Sequence, residues 1–202
     1  ITALEQLQGK TVSVGEEESG TEQNADQVLA ACGLNQRLVH TVNLNYTDAA
    51  TQLTDGSIDA MFVTAGLQAD VLEGLAADVG IRLLPVDEGV GERLLAAYPA
   101  YHACIVPAGT YTGQDADVRT VGVQALLLAS DALPDDTVQA LTANYFKNID
   151  TVQSGLPVTL AADPADAAAQ RVVPYHTGAA AYYTAQGITP ASPESAQEEA
   201  DE

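Results

Sequence analysis

The residues best suited to chemistry are Ser19-Gly20-Thr21, which follow a short apolar strand and a loop and open an amphipathic helix. A helix start carries unpaired N–H groups and a partial positive charge, so it can hold a carboxylate or a phosphate. Gly20 would let a ligand approach the backbone closely, and Ser19 and Thr21 add hydroxyl donors. The same residues also have an ordinary reading. Ser19 followed by Glu22 fits a capping box, which satisfies the helix's own N–H groups without any ligand. Glu16, Glu17 and Glu18 stand beside the triplet and oppose a plain anion, because unit charges about 4 Å apart at an effective dielectric of about 20 interact by about 4 kcal/mol. Either these carboxylates point to solvent, or the ligand carries a cationic group such as the α-amino group of an amino acid.

Other reactive side chains do not assemble into a catalytic pattern. His40, His102 and His176 are too scattered for a metal site with helical or finger spacing. A hydrolase can be imagined from Ser19, His102 or His176 and an aspartate, but no Gly-x-Ser-x-Gly elbow is present. The chain therefore reads as a non-enzyme with no cofactor and no metal. Cys32 and Cys104 are the only cysteines. They make no disulfide framework and read as buried free thiols, since free cysteine behaves as a small core residue. Tyr101 and Tyr111 can line a cleft with an apolar face and a polar tip, or simply pack. Arg82 and Arg119 can pair with a carboxylate, but so acidic a chain offers them ordinary partners.

A chain of 202 residues can bury a real core, as one large domain or two small lobes. Its net charge of −21 disfavours nucleic acid, since seven basic residues cannot neutralise a phosphate track. Anionic membrane surfaces are disfavoured for the same reason. No segment approaches the roughly 20 apolar residues that span a bilayer; the longest, Val121 to Ala129, is interrupted by Gln124. The opening Ile-Thr-Ala-Leu-Glu has no basic n-region and reads as a processed or truncated end.

The elements that must position these residues alternate. Thr11 to Val14 reads as a strand, and Ala25, Val28, Leu29 and Cys32 recur at helical spacing, closed by Gly33. Leu38 to Leu44 alternates as a second strand, Thr47 through Leu53 is a short helix stopped by Asp55-Gly56, and Ile58 to Thr64 is a continuous apolar strand buried on both faces. Leu67, Val71, Leu72 and Leu75 make a helix face, Ile81 to Leu84 a short strand, Glu88 to Ala97 a helix and Tyr101 to Val106 a strand. This order argues for α/β layers with a mostly parallel sheet. Pro107 to Asp115 reads as a loop crossing between lobes, and Thr120 to Leu128 as a long strand. Leu133-Pro134-Asp135 opens a helix with the face Val138, Leu141 and Tyr145. Ala161 to Gln170 and Thr177 to Gln186 are further helices, and residues 188–202 read as a disordered acidic tail.

The fragments occur in a specific order: Leu7-Gln8-Gly9-Lys10-Thr11-Val12-Ser13-Val14-Gly15, Ser19-Gly20-Thr21-Glu22, Asp55-Gly56-Ser57-Ile58-Asp59-Ala60-Met61-Phe62-Val63-Thr64-Ala65-Gly66 and Ile81-Arg82-Leu83-Leu84-Pro85-Val86. Pro107 to Asp115, Asp117 to Val121, Gly155-Leu156-Pro157 and Pro174 to Tyr183 follow. Over roughly Leu4 to Gly187 the chain resembles a TAXI-type solute receptor, the extracytoplasmic binding component of a tripartite ATP-independent (TRAP) transporter.

The resemblance implies an α/β, bilobed periplasmic-binding-protein-like (type II) fold in the periplasm or anchored at the cell surface. Such a receptor closes on a small solute and hands it to a TRAP permease, without inserting in the membrane itself. It implies residues 1–108 as the second lobe and 109–187 as the C-terminal part of the first, with the N-terminal part of that first lobe missing. It implies an amino acid such as glutamate or glutamine, or a dicarboxylate, as the solute. The Ser-Gly-Thr loop and the Phe-x-x-Ala-Gly strand end face the cleft in that architecture, so Ser19, Gly20, Thr21, Thr64, Ala65 and Gly66 are the implied contacts, with Tyr111 as a further cleft residue. His176, within a matching turn, is expected to have a structural hydrogen-bonding role. The chain departs from the family at Glu16, Glu17 and Glu18, where small residues and glycine are usual. The alternative from another class is the ligand-sensing domain of a signalling protein.

Overall fold

Three short parallel strands organise the first half of the chain in the computed structural model. β1 (Thr11–Ser13) lies between β2 (His40–Val42) and β3 (Ala60–Met61). The described residues are 1–35, 37–154, 163–169 and 173–192. They fall into two compact units, Ile1–Val123 and the residues from Gln124 on.

Parallel neighbours need crossover helices, and here each crossover forms where the sequence places a cap. After β1, α1 (Gly20–Ala31) starts at the N-cap Ser19, whose hydroxyl accepts from the Glu22 N–H. It ends in a Schellman turn: the Gly33 N–H donates to Ala30 O, the Leu34 N–H donates to Leu29 O, and Gly33 has φ +77°. α2 (Tyr46–Asp55) starts at Asn45, whose side chain accepts from the Asp48 N–H, and stops at left-handed Gly56. The predicted α1 face holds: Ala25, Val28 and Leu29 are buried and Cys32 is half-buried.

That face meets α4 (Glu88–Ala97) and the buried residues Val12, Val14, Val39, Val90 and Leu94 in one cluster. α2 packs instead with α3 (Asp70–Asp78), where Ala49, Leu75 and Ala76 are buried. The start of the sheet is held by Asp59. Its carboxylate accepts from the Thr11 N–H and pairs with Lys10 at 3.2 Å, and these contacts, the Thr11 N–H first, keep it below the usual carboxylate range.

Several strand expectations change. The apolar run Ile58 to Thr64 pairs only at Ala60–Met61, because β3 is an edge strand with β1 on one side; only Ile58 in that run is fully buried. Ile81 to Leu84 is not a strand. The sheet is not parallel throughout: β4 (Tyr101–Val106) and β5 (Val118–Val123) form a separate antiparallel pair, and residues 107–117 connect them. β5 stops five residues short of the expected Leu128, because Val123 already faces Tyr101, the first residue of β4. Beyond it Leu127 and Leu128 are 93% and 73% exposed. Cys32 and Cys104 are free, but each is half-buried rather than fully buried.

The second unit is helical: α5 (Asp135–Lys147), α6 (Ile149–Gln153), α7 (Pro164–Ala167) and α8 (Thr177–Ala185). On α5 Val138 is buried and Tyr145 half-buried, but Leu141 is 56% exposed; Phe146, which the expected face did not include, is half-buried. Phe146 stacks on Tyr182 at 5.5 Å and meets Tyr183 edge-on, and burial pushes the Tyr183 phenol up to about 12. His176 caps α8, its Nδ1 accepting from the Gly178 N–H, which is the structural role expected of it. Of the helix expected at Ala161 to Gln170, α7 is what the described residues contain; 161, 162 and 170 lie outside them, as does the Gly155-Leu156-Pro157 fragment. Of the expected tail, Ile188 to Ser192 form no helix or strand, the Ala191 N–H donates to Ala168 O, and 193–202 lie outside the described residues.

Two glycines test this packing in opposite directions. A Cβ on Gly178 would overlap the Asp135 carbonyl oxygen and sit 3.0 Å from Gln139 N, whereas one on Gly74 in α3 would meet nothing within 4 Å. Gly178→Ala should lower stability by about 1–3 kcal/mol, as overpacking does. Gly74→Ala should raise it by about 0.5–1 kcal/mol through helix propensity. Urea unfolding followed by far-UV circular dichroism measures both.

Candidate functional site

In an open parallel sheet the loops leaving the carboxyl ends of the strands gather at one edge. A crevice opens where successive crossovers depart in opposite directions. The order β2-β1-β3 creates such a point between β1 and β3. The loop after β1 carries Gly15 to Ser19 into α1, and the loop after β3 carries Phe62 to Ala69 into α3. The sequence-derived candidates Ser19, Thr64, Ala65 and Gly66 are on these two loops, and Gly20 and Thr21 open α1 directly after the first.

Gly15 sets how closely the first loop turns. It has φ +97°, and a Cβ there would lie 2.8 Å from Thr21 Cβ and 3.0 Å from Ser19 Oγ. Asn43 braces it, its Nδ2 donating to Gly15 O at 3.1 Å and to Glu22 Oε1 at 2.8 Å. The capping box is shifted by one residue from the expected form. Glu22 Oε2 accepts from the N–H of Glu18, which has φ 60°, at 2.6 Å, while the Ser19 N–H donates to Glu16 O. The Glu22 carboxylate is thus used on both oxygens. Glu16, Glu17 and Glu18 are exposed. Gly20 is exposed and nothing lies within 4 Å of where its Cβ would be, and the Gly20 and Thr21 N–H groups find no acceptor among the described residues. Thr21 itself is buried.

The two loops are joined by a residue the sequence reading passed over. Tyr46, the first residue of α2, places its hydroxyl 2.8 Å from Thr21 Oγ1, 3.0 Å from Thr64 N and 3.1 Å from Thr64 O. A phenol has one proton and two lone pairs. Donation to Thr64 O, with acceptance from the Thr64 N–H and the Thr21 hydroxyl, uses all three. Asn24 on α1 adds a second link, Nδ2 donating to Thr64 Oγ1 at 3.1 Å. Asn24 Oδ1 in turn accepts from the Tyr101 hydroxyl at 2.8 Å. Burial pushes the Tyr101 phenol up. A chain of hydrogen bonds therefore runs from β4 through α1 and the β3 loop to α2.

Thr64 is thereby brought to Thr21. Ala65 and Gly66 follow it in the loop, and among the described residues no hydrogen bond ties them to Ser19 or Gly20. Tyr111 is not brought to this cluster by any hydrogen bond. It is buried within the β4–β5 connection, where its N–H donates to Gln114 Oε1 and the Gln114 amide donates to Val106, Pro107 and Ala116 carbonyls. Arg119 pairs with Glu88 at 3.5 Å in the open. The signal that could have found Tyr46 is its place after the N-cap Asn45: in a parallel sheet, the first residue after β2's loop stands at the same end as the β1 and β3 loops.

Ser13 lies at the carboxyl end of β1 with 1% of its surface exposed. Its Oγ is the buried side-chain oxygen without a partner among the described residues. Strand alternation turns it to the face opposite Val12 and Val14, which belong to the α1–α4 cluster. No group of three or more His, Cys, Asp or Glu that could hold a metal occurs among the described residues.

Tyr46→Phe removes the shared hydroxyl and leaves the exposed Thr64 N–H and C=O to water; the expected loss is about 0.5–1.5 kcal/mol, with faster hydrogen exchange at the Thr64 amide. Ser13→Ala removes an unpaired buried hydroxyl and should be neutral or stabilising by up to about 1 kcal/mol. Chemical denaturation distinguishes the two, since only the first should shift the midpoint downward.

Among the described residues no helix is long and apolar enough to cross a membrane. The model of the NMT1-like family, a periplasmic-binding-protein-like family related to the TAXI and NMT1 solute-binding proteins and generally non-catalytic, matches residues 1–187. With that match spanning both units and the sheet edge that carries Ser19 to Thr21 and Thr64, the chain belongs to the NMT1-like family.

Proposed function

We propose that this chain is an extracytoplasmic receptor for a small polar metabolite, an amino acid or a dicarboxylate, serving a TRAP-type permease. Ser19, Gly20 and Thr21 contact the ligand, with Thr64, Ala65 and Gly66 beside them and Tyr111 as a further contact. The reading includes the bilobed type II architecture and a population-shift mechanism, in which contacts made only in the closed form move an open–closed equilibrium.

Membership of a solute-binding family supports the receptor reading. The observation that carries the site is the junction at the carboxyl edge of the parallel sheet, where Tyr46 ties Thr21 to Thr64 beside an uncovered Gly20. Two N–H groups at the positive end of a 12-residue helix favour a carboxylate there. The exposed Glu16, Glu17 and Glu18 favour a ligand that also carries an ammonium group. An α-amino acid satisfies both.

A thermal-shift screen of amino acids and dicarboxylates tests the reading, because a ligand that binds only the folded state raises the melting temperature by mass action. An α-amino acid should give the larger shift. Thr21→Val should weaken that ligand by at least about tenfold, or roughly 1.4 kcal/mol. The absence of a shift with every candidate would count against the receptor, and equal affinity in Thr21→Val would remove this loop from the site.

A further inference from the structure

We propose that His102 and Cys104, on one face of the β4–β5 pair, form a two-coordinate site for a soft monovalent d10 cation of the Cu(I) class. The two residues are two apart on β4, so they share a face of the strand. The residue facing His102 across the ladder is Gly122, which offers no side chain to keep them apart. Both lean into the space it leaves: a Cβ on Gly122 would lie 2.7 Å from Cys104 Sγ and 3.1 Å from His102 Nε2. Two atoms that near one point are at most about 6 Å from each other. Metal–thiolate and metal–imidazole bonds of about 2.3 and about 2.0 Å span up to roughly 4.3 Å. Rotation of the exposed imidazole closes that difference without moving the backbone.

The donor set selects the ion. Thiolate is a soft ligand that favours Cu(I), and imidazole also suits copper. Tetrahedral zinc and octahedral ions need more ligands than a pair, and no group of three or more candidate ligands gathers among the described residues. A d10 monovalent ion is content with two ligands in line. Neither side chain is engaged otherwise: among the described residues no hydrogen bond or ion pair involves His102 Nε2 or Cys104 Sγ. The chain's net charge of −21 raises the local concentration of any cation.

Binding forms a sulfur–metal bond and breaks the S–H bond, with the proton going to solvent; the imidazole donates its Nε2 lone pair and stays neutral. No electron is transferred. Because the ligand is the thiolate, each bound ion displaces one proton. Cys32 provides an internal comparison. It is also free, but its thiol is pushed up to about 11, first by burial and then by the Glu5 carboxylate, and its other charged neighbours are Arg93 and Asp87 rather than a histidine.

The test is anaerobic titration of the full chain with Cu(I) from a bicinchoninate complex, repeated with Ag(I). One ion per chain should bind, with release of one proton and an affinity that rises with pH across the neutral range. Cys104→Ser should abolish binding and Cys32→Ser should leave it unchanged. His102→Ala should weaken it at least tenfold; because His102 is exposed, this variant keeps the fold and separates a Cys–His site from a bare thiol. Nitrogen NMR should show the His102 Nε2 resonance shifting on Ag(I) addition. Full affinity in His102→Ala, or loss of the ion in Cys32→Ser, would overturn the proposal.

Discussion

Three parallel strands cannot be joined by tight turns, and this constraint governs the first unit. Each strand must be followed by a helix that returns the chain to the starting edge, so every loop after a strand emerges at the same end. With β1 in the middle, the crossover through α1 leads to β2 and the next through α2 leads past β1 to β3. The helices therefore take opposite faces: α1 joins α4 over Val12 and Val14, while α2 joins α3. The loops carrying Ser19 and Thr64 come together because this topology leaves them no other edge.

Short strands make that edge fragile. β3 contributes two residues, and its last ladder bond is the Phe62 N–H to Ser13 O at 2.8 Å. Two residues later the Thr64 N–H and C=O both turn to the Tyr46 hydroxyl. A side chain thus stands in for the neighbouring strand that β3 lacks, and the same oxygen reaches Thr21 on the other loop. Thr64 is exposed, so water can replace these bonds, and each net hydrogen bond contributes about 1 kcal/mol. The larger effect of Tyr46 is to hold the two loops against each other. Gly15 complements it sterically, since any side chain there would push Thr21 and Ser19 away.

Much of the local structure was legible. Ser19, Gly33 and Gly56 mark helix ends through groups that act within four residues of themselves, whereas the cap Asn45 went unread and that helix was expected to start at Thr47. The helical repeat of Ala25, Val28 and Leu29 identified the α1 face because a single helix imposes that period. Strand extents were less legible. The apolar run after Thr120 has strand composition, yet pairing ends at Val123 because the partner strand begins at Tyr101. Leu141 fits the α5 period yet is exposed, while Phe146, outside that face, is half-buried and stacks on Tyr182. Of the candidate site, both loops were readable as a helix start and a strand end, while Tyr46, Asn24 and Asn43 were not. Their importance comes from partners 18 to 77 residues away, such as Thr64 for Tyr46 and Tyr101 for Asn24.

The sequence by itself determined most of the helices, the caps at Ser19, Gly33 and Gly56, the acidic charge and the family to which residues 1–187 belong. These rest on short-range hydrogen bonds, on the period of a single helix, or on the order of motifs along the chain. Only the tertiary structure decided the order β2-β1-β3, the antiparallel turn of β4 and β5, the meeting of Thr21 and Thr64 at Tyr46, and the lean of His102 and Cys104 over Gly122. The physical reason is the same throughout: a strand and a shared polar atom are completed by a neighbour distant in sequence, and no local pattern names that neighbour.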